Sequence, residues 1–91
     1  MYQVVKRDGK IVEFDLSKIS AAITKAFEAQ NRQYTQRIID LLALRATADY
    51  EKKIKDGLVH VEDIQDSVET VLEQAGYADV AKGYILYRKQ R

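Results

Sequence analysis

Apolar and polar residues alternate in two short runs near the start of the chain, which indicates two β-strands. Residues 2–6 (YQVVK) and 10–14 (KIVEF) are rich in the β-branched and aromatic side chains that suit a pleated sheet. Between them lie Arg7, Asp8 and Gly9, and an Asp-Gly pair can adopt the positive φ angles of a tight turn. The pattern therefore predicts a β-hairpin.

Farther along, apolar residues recur every three or four positions, which is the spacing of one face of an α-helix. Ser17 is expected to cap a first helix that runs to about Gln30, and Thr35 to cap a second helix that frays near Lys55. The residues predicted to face inward from these helices are Ile19, Ala22, Ile23, Ala26, Phe27, Ile38, Ile39, Leu41, Leu42, Ala46 and Tyr50.

The last third of the chain predicts one more strand and two more helices. Residues 58–61 (LVHV) are β-prone, and Glu62 and Asp63 follow where acids suit the positive end of a helix dipole. Gly76 is expected to end this helix, and the last helix opens at residue 78 or 79. The order β-β-α-α-β-α-α predicts an α+β fold in which helices pack under a small sheet.

Length and composition restrict the class of protein. The 91 residues are 46% hydrophobic and contain no proline, which predicts a single domain over residues 1–91. There is no cysteine for a disulfide, a thiolate metal site or a thiol nucleophile, and one His cannot form a metal centre alone. No apolar run is long enough to span a bilayer and no signal peptide is evident, so a cytoplasmic location is expected.

Charge is balanced overall but segmented along the chain. Fifteen Lys and Arg against fourteen Asp and Glu give a formal net charge of +1, which argues against a dedicated nucleic-acid coat. Residues 61–79 hold six acids and no Lys or Arg, whereas residues 82–91 hold four cations (Lys82, Arg88, Lys89 and Arg91) and no acid. Further cations lie among the first eighteen residues, so two basic segments could share one anion.

No arrangement of residues typical of an enzyme is found. His60 has no Ser or Cys nucleophile near it in sequence, and there is no glycine-rich phosphate loop of either common type. The acids Glu62, Asp66, Glu69 and Glu73 recur at the spacing of one helix face, which is typical of a solvated surface and not of a metal site. The sequence therefore predicts neither catalytic residues nor metal ligands.

The remaining candidate is an anion site around the hairpin. A hairpin that leads into a helix N-terminus places strand cations, backbone N–H groups and Lys18 around one concavity. The alternative is a turn that is charged only because turns are exposed.

The opening residues 4–19 (VVKRDGKIVEFDLSKI) and 21–26 (AAITKA) are the most distinctive part of the sequence. They closely resemble the opening of the ATP-cone, a regulatory nucleotide-binding domain found at the N-terminus of many ribonucleotide reductases, and the resemblance covers essentially the whole chain. The closing residues 59–66 (VHVEDIQD) and 79–88 (DVAKGYILYR) look most like the cone of the anaerobic, glycyl-radical class.

The resemblance implies a fold and a function. The fold would be a four-helix bundle capped by a three-stranded sheet, with ATP or dATP, with or without Mg²⁺, bound between sheet and helices and with no redox cofactor. The domain would control a reductase allosterically through oligomerisation, in contact with the catalytic domain of its parent protein and with other cones. A membrane partner is not expected.

The resemblance also implies which residues bind the nucleotide. Lys6 and Arg7 would be phosphate or base-side ligands, Lys18 a phosphate ligand, and residues 12–18 a source of backbone contacts to the adenine. The full set is Val5, Lys6, Arg7, Val12, Glu13, Phe14, Asp15, Leu16, Ser17, Lys18, Val61, Gln65, Lys82, Arg88 and Lys89. Some members carry Thr where this chain has Val61 and His where it has Gln65.

Two other classes of protein are weighed against this one. The cone also occurs in a transcriptional repressor behind a zinc ribbon, but this chain lacks the cysteines of such a ribbon. A small nucleic-acid binder could use the basic C-terminal helix, but the near-zero net charge and the acidic third helix argue against it. The absence of cysteine also excludes a complete reductase, which needs a radical-carrying Cys, and favours a regulatory domain.

Overall fold

Three short strands form one mixed sheet in the computed structural model, which describes residues 2–90. Strand β1 (Gln3–Val5) lies in the centre, paired antiparallel with β2 (Ile11–Glu13) and parallel with β3 (Leu58–His60). The middle residues of the three strands lie side by side, and Val4 and Val59 among them are buried in the core. The apolar centre of the sheet therefore faces the helices.

Four α-helices form a bundle beside this sheet. They are α1 (Leu16–Ala29), α2 (Gln36–Tyr50), α3 (Val61–Gln74) and α4 (Ala78–Lys89). Contacts run from α1 to α2, from α2 to α3, from α3 to α4 and from α4 back to α1, so each helix has two neighbours. This confirms the predicted order β-β-α-α-β-α-α and the α+β fold of a four-helix bundle with a three-stranded sheet.

One hydrophobic core joins all four helices and the sheet. Its fully buried side chains include Phe27 of α1, Ile39 and Tyr50 of α2, Leu72 of α3 and Val80 of α4. Each large apolar side chain of this kind contributes about 2 kcal/mol through the hydrophobic effect. The bundle therefore supplies the burial that three-residue strands could not supply alone.

The predicted cap of α1 is wrong by two residues. Asp15, not Ser17, is the N-cap: its backbone is extended, and its carboxylate accepts from the Ser17 N–H at 3.0 Å and from Ser17 Oγ at 2.6 Å. These two hydrogen bonds lower the pKa of Asp15. A carboxylate suits the positive end of the helix dipole better than a hydroxyl does, which explains why the helix begins earlier.

Two features of α2 also differ from the prediction. The α-helix ends at Tyr50, followed by a 3₁₀ turn over Glu51–Lys53, because the chain reverses at Asp56 and Gly57, which both have positive φ. Leu41 was predicted to face inward, yet its side chain is 54% exposed. Leu41 lies about 100° around the helix from Leu42 and about 160° from Ile39, so its side chain is on the side of α2 that faces away from the core.

The start of α3 differs by one residue. Val61, predicted as the end of the third strand, is the first residue of α3, and His60 is its N-cap. The strand stops at His60 because its partner Val5 is the last residue of β1 before the hairpin turn. Within residues 2–90, none of the helices is both long enough and apolar enough to cross a membrane.

The corrected cap leads to a paired test. We expect Asp15→Ala to lower the thermal midpoint by about 4 °C, because the first turn of α1 loses its hydrogen-bond acceptor. Ser17→Ala should lower it by much less, since the Ser17 N–H keeps its partner. Circular dichroism melts of both variants decide the question. A loss for Ser17→Ala as large as that for Asp15→Ala would contradict Asp15 as the cap, and a larger loss would return the cap to Ser17.

Candidate functional site

The turn between β1 and β2 fixes the position of Arg7. The Gly9 N–H donates to the Lys6 carbonyl at 2.9 Å, and the Lys6 N–H donates to the Lys10 carbonyl at 2.8 Å. Asp8 Oδ1 accepts from the Lys10 N–H at 3.0 Å. Only Gly9 in this turn has a positive φ, so the expectation that Asp8 shares this conformation is wrong. A type I turn followed by a left-handed glycine explains the difference.

Arg7 connects the hairpin to two helices. Its Nε lies 2.6 Å from Glu62 Oε1, and its Nη2 donates to Gln65 Oε1 at 3.1 Å, both in α3. The same Nη2 donates to the main-chain carbonyl of Arg88 in α4 at 3.2 Å. The two basic segments of the sequence, near the start and the end of the chain, therefore lie next to each other.

Arg88 lies between three carboxylates of α3. Its Nη2 is 2.7 Å from Glu62 Oε2, and its Nη1 is 3.0 Å from Asp66 Oδ1 and 2.6 Å from Glu69 Oε1. The Arg88 side chain is only 13% exposed, so water competes little with the carboxylates for its N–H groups. Glu62 touches Arg7 with one oxygen and Arg88 with the other, so it bridges the two arginines.

These contacts favour the charged forms of Glu62 and Arg88. The hydrogen bond from Arg88, followed by that from Arg7, lowers the pKa of Glu62. Burial disfavours the charged form of Arg88, but hydrogen bonds to Glu69, Asp66 and Glu62 outweigh burial and raise its pKa. At neutral pH Arg88 and Glu62 are therefore charged together.

An open cleft of about 370 Å³ lies beside this network. It is lined by Arg7, Glu62, Glu69, Ile85, Arg88 and Lys89. The volume is within the range of small-molecule sites. Three cations (Arg7, Arg88 and Lys89) face three carboxylates (Glu62, Glu69 and the adjoining Asp66), so the formal charges cancel.

Some of the residues predicted to bind nucleotide meet at this cleft. Arg7, Arg88 and Lys89 line it, and Gln65 is tied to it through Arg7. Lys82 is exposed seven positions before Lys89, on the same face of α4. Lys6 and Lys18 are exposed, do not line the cleft, and form none of the ion pairs found among the described residues.

Several side chains in the predicted adenine-contacting segment are engaged by the fold. Glu13 accepts a hydrogen bond from Gln3 at 2.9 Å, and the Phe14 ring packs 4.7 Å from the Tyr2 ring. Val12 and Leu16 pack partly buried against the core, while Asp15 and Ser17 form the cap of α1. Because these side chains are already engaged in the fold, a ligand would contact this segment mainly through its backbone groups. The Asp15 carboxylate also makes the α1 N-terminus a poorer anion site than expected.

Val5 and Val61 lie where the sheet meets α3. Val5 is paired in register with His60, and Val61 follows directly as the first residue of α3. Val61 packs partly buried against the core. Neither residue lines the cleft, and the end of the β1–β3 pairing determines their position.

The sequence interpretation missed the acids that line the cleft. The acidic face of α3 was expected to be solvated, yet Glu62, Asp66 and Glu69 each bind Arg88, and only Glu73 stands apart. Ile85, which gives the cleft an apolar wall, was also missed. No group of three or more potential metal ligands is arranged to hold an ion within residues 2–90. Arg91, one of the four C-terminal cations, lies outside those residues.

Comparison with known proteins identifies the type of domain. A family model described as the ATP cone domain matches residues 2–91. The chain is 42% identical over 94 positions to the ribonucleoside-diphosphate reductase subunit alpha of Chlamydia pneumoniae, covering 97% of this chain and 9% of that protein. It is 40% identical over 89 positions to the vitamin B12-dependent ribonucleoside-diphosphate reductase of Mycobacterium tuberculosis, covering 98% of this chain and 12% of that protein.

A third relative bears on the class of reductase. The anaerobic ribonucleoside-triphosphate reductase of Haemophilus influenzae is 32% identical over 97 positions, covering 99% of this chain and 12% of that protein. Since the identities to the other two reductases are higher, these matches do not confirm the predicted greatest likeness to the anaerobic class. The chain spans about a tenth of the length of these relatives.

The bridging carboxylate generates a pH prediction. Because the folded-state pKa of Glu62 is lowered, its contribution to stability is present above the ordinary carboxyl pKa and is lost as pH falls through the lowered value. Glu62→Gln should therefore melt a few degrees lower than the unmodified chain at pH 7. The gap should close below about pH 4.

Glu73→Gln is the matched control, since it removes one carboxylate from the same helix outside the network. Melting curves at several pH values check the prediction. A gap for Glu62→Gln that persists unchanged into acid would contradict it.

Proposed function

The chain belongs to the ATP-cone family, and we propose that it is an allosteric domain that binds ATP or dATP on behalf of a ribonucleotide reductase. The observation that carries this proposal is the meeting of Arg7 from the hairpin with Arg88 and Lys89 from α4 at one cleft. Catalysis would reside in the remaining nine-tenths of a parent protein of the relatives' length, and both would act in the cytoplasm.

The phosphates provide the main charge contacts in this proposal. A triphosphate carries several negative charges, and an exposed ion pair contributes only about 1 kcal/mol, so several cations have to converge. Arg7, Arg88 and Lys89 already adjoin, and Lys6, Lys18 and Lys82 have flexible, exposed side chains that can add to them.

The nucleoside would be recognised by the backbone. The segment from Val12 to Ser17 offers main-chain groups to the adenine, and Val5, Val61 and Gln65 border the same region beside α3. Phe14 packs on aromatic rings and supports that segment from the core side. We therefore propose that the residues given by the family resemblance belong to one nucleotide site.

Regulation requires a difference between the two nucleotides. ATP and dATP differ only in the ribose 2′-OH, and a ligand shifts an equilibrium only by its differential affinity for the two states. We propose that the two nucleotides compete for the cone and favour different assemblies of cones and catalytic domains. The relatives include several kinds of reductase, and the proposal does not depend on which kind the parent is.

A nucleic-acid partner is less consistent with these contacts. The basic C-terminal helix would need Arg88 for phosphate contacts, but Arg88 is 13% exposed and bound by three carboxylates. Calorimetry with ATP and dATP, beside a gel shift on duplex DNA, separates the two classes. Nucleotide binding without a shift supports the cone, and a shift without nucleotide binding overturns it.

The phosphate ligands can be tested singly. We expect Lys18→Ala, and separately Lys6→Ala, to weaken ATP and dATP binding by about fivefold, because each removes one exposed cation from the phosphates. Melting should be unchanged, since both side chains are exposed. Lys25→Ala is the control, because Lys25 is exposed on the same face of α1 two turns farther on. Unchanged affinity with normal melting would remove the tested lysine from the site.

Assembly provides a test of regulation. If the cone regulates through assembly, saturating ATP and saturating dATP should give different association states. Each nucleotide must then differ in its affinity for the states, because a ligand with equal affinity for two states does not shift the equilibrium between them. Sedimentation of this chain and of a parent reductase that contains it, each with ATP, dATP and no nucleotide, measures the effect. Identical distributions in the parent despite demonstrated binding would mean that the cone binds without regulating.

A further inference from the structure

We propose that Glu62 competes with nucleotide phosphate for Arg7 and Arg88, so that the carboxylate has to leave both arginines when a triphosphate binds. This inference rests on the proposed function and concerns the regulation of the same site. It makes Glu62 a determinant of affinity, a role that the family resemblance does not give it.

The first argument is the identity of the donors. The Glu62 carboxylate accepts hydrogen bonds from Arg7 Nε at 2.6 Å and from Arg88 Nη2 at 2.7 Å. Guanidinium N–H groups of this kind recognise carboxylate and phosphate oxygens with the same geometry. A phosphate that reached these two arginines would therefore need the donors that Glu62 holds.

The second argument is charge. The carboxylates Glu62, Glu69 and Asp66 cancel the charges of Arg7, Arg88 and Lys89, so the cleft itself gives a triphosphate no net attraction, and only the exposed lysines outside the cleft attract it. The three carboxylates also repel the phosphates, because like charges oppose binding. Removal of Glu62 from the two arginines converts the cleft from neutral to net positive and relieves this repulsion.

The third argument is the difference in burial among the acids. The Glu62 side chain is 45% exposed and can rotate into water, whereas that of Glu69 is 23% exposed and lies 2.6 Å from Arg88 Nη1. Moving Glu62 therefore leaves Arg88 held by Glu69 on its other nitrogen. Glu62 is the exchangeable partner, and Glu69 keeps the Arg88 guanidinium in position.

The exchange would also release a mechanical tie. Glu62 joins Arg7 on the hairpin to Arg88 on α4, so its departure removes one polar link between these elements and leaves the hydrogen bonds from Arg7 to Gln65 and to the Arg88 carbonyl. A triphosphate would take over that link. The nucleotide would thus replace a contact of the fold, which gives binding a route to the rest of the domain.

The test compares Glu62→Gln with Glu73→Gln by calorimetry. Both variants remove one carboxylate from α3, but only Glu62 belongs to the network. We expect Glu62→Gln to bind ATP and dATP about fivefold more tightly than the unmodified chain, and Glu73→Gln to bind them unchanged. Glu62→Ala should show the same gain, and melts confirm that each variant is folded at the titration temperature.

Adenosine, followed by NMR titration, separates competition from a general change of the site. It carries no phosphate, so Glu62→Gln should give it no gain. A triphosphate affinity no higher than that of Glu73→Gln, or an equal gain for adenosine, would overturn the inference. If neither the unmodified chain nor Glu62→Gln bound ATP or dATP, the proposed function itself would fail.

Discussion

The parallel pairing of β1 with β3 is the constraint on which the candidate site depends. It aligns Val5 with His60, and both strands end there while running in the same direction. Two residues beyond each end come Arg7 in the hairpin turn and Glu62 in the first turn of α3. The register of three-residue strands thus brings together side chains 55 positions apart in the sequence. A slip of one residue would reverse the faces and separate them.

The helix pair α3 and α4 completes the arrangement through its dipoles. The two helices contact each other after a short connection, and Arg88 near the C-terminal end of α4 contacts Glu62, Asp66 and Glu69 along α3. Acids near a helix N-terminus and cations near a helix C-terminus are both favourable. The charge segmentation of the sequence is therefore a set of complementary helix ends packed side by side, and the core beneath determines how they meet.

The fold was largely readable from the sequence because helical periodicity, caps and a hairpin turn are local signals. Asp15 was missed because the choice between Asp15 and Ser17, two possible caps two positions apart, depends on where the extended backbone stops, which the pattern does not show. The site was less accessible. The family resemblance predicts lysines and arginines of the site, but the pattern of the α3 acids predicts only a solvated helix face, since a lone helix face gives no sign of its partner. The block of acids at 61–79 before the cations at 82–91 was the available signal, had the two helices been read as a pair.

The shared use of the arginines connects stability with binding. The ion pairs of Glu62 stabilise the fold by holding Arg7 and Arg88, and a phosphate would have to offer those donors more than the carboxylate already does. Affinity is then the difference between two sets of charge-assisted hydrogen bonds, which is smaller than either set alone. A small difference in free energy gives a modest affinity. Such an affinity would suit a regulatory site, because the occupancy of a site that is not saturated follows changes in nucleotide concentration. In this view the acidic helix is part of the sensor.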